Sequence, residues 1–194
     1  MSLTRIGILL FSAAALAGPW YTVAGYSVVR NLISELGAQH TANSMIMVAG
    51  FLALGLGLVA DGVRRFQRMA LPFMAFGAFM ALAGLFAHKP LDPAVQVDEA
   101  AHAMHGLLAS LAGISITVGL VWYAIRTSGT WRRWVALALG GLCVALPLAM
   151  LALPAWQGLI QRVMYLLVFA WLWLFFPGLP TAGPDVRRPA AGGR

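Results

Sequence analysis

Six long apolar runs, parted by short polar stretches, organise this chain: residues 6–24, 44–60, 69–87, 102–125, 134–153 and 160–176. Each run is continuously apolar, without the alternation of a membrane β-strand. A helix rises about 1.5 Å per residue, so about 20 residues cross a hydrocarbon core of about 30 Å. The second and sixth runs are slightly short, which flanking polar residues or local bilayer thinning absorbs. The pattern predicts an all-α polytopic membrane bundle of six transmembrane helices. A further, shorter pattern occupies residues 27–37. There Val28, Val29, Leu32, Ile33 and Leu36 recur at helical spacing, opposite Arg30, Asn31, Ser34 and Glu35. Ser27 is placed to cap its start and Gly37 its end, so a short amphipathic helix lying in the interface is expected after the first span.

Composition agrees. Of 194 residues, 61% are hydrophobic and 10% charged, against about 45–50% and about 25% in soluble domains. The single Cys143 excludes an internal disulfide and a thiolate metal cage. A net charge of +7 would suggest nucleic acid in a soluble protein, but here the arginines sit between apolar runs, where they orient helices, and no nucleic-acid partner is expected. Arg5, Arg64, Arg65, Arg68, Arg126, Arg132, Arg133, Arg187, Arg188 and Arg194 share one side of a six-span topology; Arg30, Lys89 and Arg162 take the other. With the acids included, the terminal side carries +8 and the opposite side −1. The positive-inside rule then places both termini in the cytoplasm. Residues 1–176 are read as one transmembrane domain, and 177–194, rich in Pro, Gly and Arg, as a solvated cytoplasmic tail. A competing reading of the start is a secretory signal, with Arg5, the apolar residues 6–14 and Ala15-Leu16-Ala17 as a cleavage site; it would leave five spans in the same orientation.

The candidate chemistry lies opposite the arginines. His40, His88, His102 and His105, with Glu35, Asp92, Asp98 and Glu99, all fall on the extracytoplasmic side. Unpaired ionisable groups are costly near a bilayer, so such a concentration marks a candidate site; the plain alternative is that outer loops are where polar residues fit. Asp98, His102 and His105 stand at i, i+4 and i+7, one face of a helix. With His88 as a further ligand they could hold zinc or another divalent metal, or Asp98 could orient one imidazole for acid–base work. Near the start of the fourth helix Asp98 also favours the positive dipole end, so part of its role is expected to be that of a first-turn acid. Ser34 is a conceivable nucleophile without a supporting motif, and a hydrogen-bonding role suits it as well. Arg162 would either snorkel, pair with Asp98 or Glu35, or clamp an anionic substrate.

Three of these stretches, Asn31-Leu32-Ile33-Ser34-Glu35-Leu36-Gly37, the Asp98 to His102 entry and Gly158-Leu159-Ile160-Gln161-Arg162, resemble an uncharacterised prokaryotic membrane family known as domain of unknown function 998. The resemblance implies a prokaryotic integral membrane protein of six helices and a grouping of Ser34, His102 and Arg162; it implies no activity, and the expected location is the prokaryotic cytoplasmic (inner) membrane. Two functions follow from the residues. One is a metal-assisted hydrolase of a lipid or lipid-linked substrate, with Asp98, His102, His105 and His88 on the metal and Arg162 stabilising developing charge. The other is a non-catalytic module that binds a lipid or small ligand, or serves as a sensor or accessory subunit, its polar residues forming a hydrogen-bonded lid. Transport and haem binding fit less well, because no charge lies mid-span and no Cys-x-x-Cys-His motif exists.

Overall fold

The computed structural model describes residues 1–65, 68–127 and 131–179. The described chain is all-helical: α1 (Leu3–Tyr21), α2 (Ser44–Arg65), α3 (Leu71–Leu85), α4 (Glu99–Arg126), α5 (Trp131–Ala152) and α6 (Gln157–Phe175). Counting the 3-10 turns that flank α3 and α6, all six are long and apolar enough to cross a membrane. Each helix packs on the next, and α6 returns to touch α1. Most of the tail expected over 177–194 lies outside the described residues, although Leu179 is buried against the bundle.

Local chemistry sets the helix ends. Ser2 caps α1 by accepting from the Arg5 N–H, which starts α1 three residues ahead of the first apolar run. Its end is fixed by extended backbone at Thr22 and a left-handed Gly25. Pro72 sits in the first turn of α3, where its missing N–H costs nothing. Asp98 caps α4 and moves its start back to Glu99.

The most buried helices are α2 and α3, and aromatic pairs tie α6 to the core they form. Phe11 of α1 meets Phe51 of α2 at 5.1 Å and Phe169 of α6 at 5.2 Å, both edge-to-face. Nearer the termini, Trp171 stacks on Phe73 of α3 at 5.1 Å and meets Tyr123 of α4 edge-on. Such pairs add about 0.5–1.5 kcal/mol each beyond the area they bury. Between α2 and α3 the backbones nearly touch: a Cβ on Gly55 would run into the carbonyl oxygen of Gly77, the close approach that small residues permit inside bilayers.

The two ends of the bundle differ in chemistry. At the arginine end, Arg5 donates through Nη2 to the Trp173 carbonyl at 3.0 Å, and Arg65 donates to the Pro177 carbonyl. These cations occupy the carbonyl-rich end of α6, where positive charge is favoured. All four histidines lie at the opposite end, beside the starts of α2 and α4 and the end of α3.

Candidate functional site

At the histidine end the polar residues form two hydrogen-bonded groups. The first is organised by Arg162 on α6. One of its amino groups donates to the carbonyls of Val28 at 2.8 Å, Asn31 at 2.9 Å and Gly158 at 2.9 Å. The other donates to the Tyr26 hydroxyl. Gly158 makes this possible, since a Cβ there would meet the Asn31 carbonyl, and that of Val28 at 2.8 Å. Two further bonds fasten the same loop to α6: Leu159 N–H to the Val29 carbonyl at 3.0 Å, and Ile33 N–H to Gln161 Oε1 at 2.6 Å.

Within this loop Asn31 is the hub. Its Oδ1 accepts from Ser27 N–H and its Nδ2 donates to Glu35 Oε2 at 2.8 Å, while that same carboxylate oxygen accepts from Leu32 N–H at 2.9 Å. These side chain to backbone bonds compete with helix formation. The amphipathic pattern over 27–37 therefore yields only a 3-10 turn, Ile33–Gly37. That turn is buried: Ile33 is 3% exposed, Ser34 7%, Glu35 8% and Leu36 0%. The short helical element after the first span is thus a buried 3-10 turn, in contact with α1, α2 and α6.

The second group surrounds the imidazoles. His88 packs edge-on against His102 at 4.7 Å and His105 at 5.5 Å between ring centroids. The carbonyls of Ala83 and Phe86 lie 2.9 and 2.8 Å from His105 Nδ1. Both can only accept, so that nitrogen carries a proton and caps the end of α3. His102 Nδ1 accepts from the Lys89 N–H at 3.3 Å. Gln39 ties this group to the loop, donating to the Ala87 and Asp98 carbonyls and accepting from the Asp98 N–H at 2.8 Å.

Asp98 serves the start of α4, the second of the two roles considered for it, and leaves the metal-binding face. Its backbone is extended (φ −81°, ψ 96°) and its Oδ1 accepts from Ala101 N–H at 3.0 Å. A cap lies outside the helical repeat, so the i, i+4, i+7 face loses its acid and the carboxylate serves its own helix terminus. Among the described residues no group of three or more His, Cys, Asp or Glu side chains is placed to hold one metal ion. Pairing of Arg162 with Asp98 or Glu35, one of the three roles considered for it, is not formed; its amino groups donate to carbonyl and hydroxyl oxygens instead. Among the described residues no hydrogen bond joins Ser34, Glu35 or Arg162 to the imidazoles, so the candidate residues share one end of the bundle without forming one constellation.

Burial governs the electrostatics. It raises the Glu35 carboxyl above its ordinary value, against the opposing bonds from Asn31 and Leu32 and the charges of Lys89 and Arg162. It also raises the Tyr26 hydroxyl, against the neighbouring Arg162. His88 is pushed down to about 4, by burial first and then by His105, with smaller opposing and reinforcing effects from the Lys89 carbonyl, His102 and the Lys89 charge. His88 is thus neutral in the folded chain at pH 7. Its folded value lies below the ordinary 6.5, so its contribution is complete above pH 6.5 and is lost as pH falls towards 4 and the unfolded chain takes the proton first. The expected loss is on the order of 2 kcal/mol after allowance for solvent screening of a partly exposed ring. Thermal unfolding in detergent at pH 7.5 and pH 4.5 checks it: His88→Gln should flatten the acid-side fall in Tm, and an equal fall in both proteins would refute it.

The model of the family described as protein of unknown function (DUF998) matches residues 5–176. The chain belongs to the DUF998 family. No curated protein and no solved structure matches it. In this DUF998 chain the three stretches that carried the resemblance meet at the histidine end. Asn31 to Gly37 forms the wedge, Gly158 to Arg162 grips it, and Asp98 to His102 begins the neighbouring helix. Gly158, Gln161 and Gln39 have structural roles that side-chain chemistry did not announce. The one-turn spacing of Gly158 and Arg162 is a signal for the first of these alone.

Two openings in the DUF998 bundle bear on function. A hollow of about 400 Å³ faces out between the loops, beside Tyr26, Asn31, Gln39, His40 and Asp92. A larger, apolar one of about 560 Å³ lies between α4, α5 and α6, backed by Phe76 and Met80 of α3. It exists because no α5 residue beyond Cys143 is buried.

Proposed function

We propose that this integral membrane protein binds a membrane amphiphile and performs no chemistry on it, its partners being the lipids of the bilayer. One observation carries the reading: the polar groups with catalytic potential are tied to backbone atoms, while the large opening in the spanning region is apolar. Arg162 holds three carbonyls, His105 holds two and Asp98 caps a helix. Groups engaged in this way make a rigid lid, since releasing Arg162 or His105 would leave part-buried carbonyls without their donor. The arginine asymmetry supports a cytoplasmic membrane with both termini inside, and the family resemblance supports a prokaryotic one.

Native mass spectrometry of the protein extracted in mild detergent tests the proposal. At least one endogenous lipid per chain is expected to survive washing; uniformly lipid-free protein would defeat it. Metal-assisted hydrolysis is the second reading, favoured by His88 packing edge-on against both His102 and His105. It expects stoichiometric metal in elemental analysis of the wild type, lost in His102→Ala and His105→Ala.

A further inference from the structure

The apolar cavity has features that specify an occupant. No ionisable side chain with a charge at neutral pH lines it, so a charged ligand would be buried without a partner. Its α4 wall runs from Ala109 to Val118, beginning about 15 Å along a helix that starts at Glu99, which is mid-bilayer depth. Lining residues on its outer rim are open to the surroundings: Ile114 is 60% exposed, Val144 52% and Leu148 60%. The cavity therefore communicates sideways with hydrocarbon.

Its polar groups are nearly all committed. Ser110 donates to the Gly106 carbonyl at 2.9 Å and Thr117 to that of Gly113 at 2.8 Å, both within α4. The Tyr165 hydroxyl donates to the Met80 sulfur at 3.7 Å. Gln161 is the exception. Its oxygen accepts from Ile33 N–H, which leaves the amide NH2 as the donor available to a ligand. Gln161 lies one turn into α6 from the histidine end, the depth at which ester groups join acyl chains to their headgroups.

From these observations we infer that the cavity holds one acyl chain of a phospholipid from the leaflet at the histidine end, with an ester carbonyl accepting from the Gln161 amide. The inference rests on the amphiphile-binding reading and gives it a place and a ligand class. A hydrocarbon chain restores the dispersion contacts that an empty apolar space forfeits, and the bilayer supplies it at the open rim without desolvating any charge.

Gly113 provides the test. A Cβ there meets nothing within 4 Å, and the same holds at Gly141, which does not line the cavity. Both sites are inside helices, where leaving glycine favours folding. Each protein is equilibrated in nanodiscs of dioleoyl phosphatidylcholine, released into mild detergent and weighed by native mass spectrometry. Gly113→Leu is expected to lower the retained lipid about tenfold or more, and Gly141→Leu to leave it unchanged. Wild type should also retain the diester lipid better than its diether analogue, by about threefold, a preference that Gln161→Leu abolishes. If Gly113→Leu fails to fold, Ser110→Phe on the same wall repeats the measurement. Equal retention in wild type and both glycine variants would place the lipid elsewhere and overturn this inference, leaving amphiphile binding intact; no lipid on wild type would end both. A wild-type dimer made monomeric by Gly113→Leu would assign the cavity to a second copy of the chain, and equal diester and diether retention would overturn the role of Gln161.

Discussion

Arg162→Met is expected to destabilise the protein by about 4 kcal/mol, measured as the shift in unfolding free energy in detergent. The methionine fills much of the space but leaves four oxygens without their donor: the carbonyls of Val28, Asn31 and Gly158 and the Tyr26 hydroxyl. Bonds to a charged donor contribute about 1.5–3 kcal/mol each, and the total stays below their sum because the half-buried loop recovers some water. Arg162→Lys should recover less than half of the loss, because one tetrahedral ammonium does not reproduce a planar fork. Gly158→Ala should cost about 2–3 kcal/mol by pushing the same carbonyls off α6. In a double-mutant cycle the two changes should be strongly non-additive, as they break one contact from two sides. Stability unchanged in Arg162→Met, with only ligand handling lost, would instead support the anion clamp considered from sequence.

That case shows what the sequence could express. The six spans were readable because hydrophobic run length in a bilayer has almost one interpretation, and the structure shifts their ends by only a few residues through caps such as Ser2 and Asp98. The candidate site was readable as an inventory and not as an arrangement. Asp98 was placed on a helical face because spacing assumes helical backbone on every residue, and a cap breaks that assumption. The 27–37 pattern looked like a surface helix because apolar periodicity does not record that Asn31, Glu35 and Gln161 bind backbone groups more favourably than helix continuation would. Arg162 was sought an acid because formal charge is visible in a sequence, whereas carbonyl oxygens, which every residue carries, are not. The cavity had no signature at all. It arises where α5 stands away from its neighbours, and glycines at 113 and 141 read identically until their surroundings are known.

Asp61→Ala should cost about 2–3 kcal/mol, while Arg64→Ala should cost less than about 0.5 kcal/mol. Asp61 was counted only as a charge at the terminal end. In the structure it is 5% exposed and its Oδ2 accepts from the Thr4 N–H at 2.8 Å, so a carboxylate from α2 satisfies an orphan donor in the first turn of α1. The Thr4 hydroxyl reaches back to the Gly57 carbonyl at 3.4 Å, closing a small buried network between the two helices. Alanine would leave the Thr4 N–H stranded and remove negative charge from the positive end of the α1 dipole. Arg64, the one ion-pair partner of Asp61 among the described residues, stands 3.9 Å away with its side chain 69% exposed, a geometry that contributes little. Asp61→Asn separates the two effects, because its amide oxygen can still accept from Thr4 N–H; it should retain most of the stability if the hydrogen bond dominates. Loss confined to α1 would appear as faster proteolysis near residues 3–21 in Asp61→Ala than in Asp61→Asn. Equal stability of Asp61→Ala and wild type, or a larger loss in Arg64→Ala, would mean that the Asp61 cap does not fasten the first helix to the bundle.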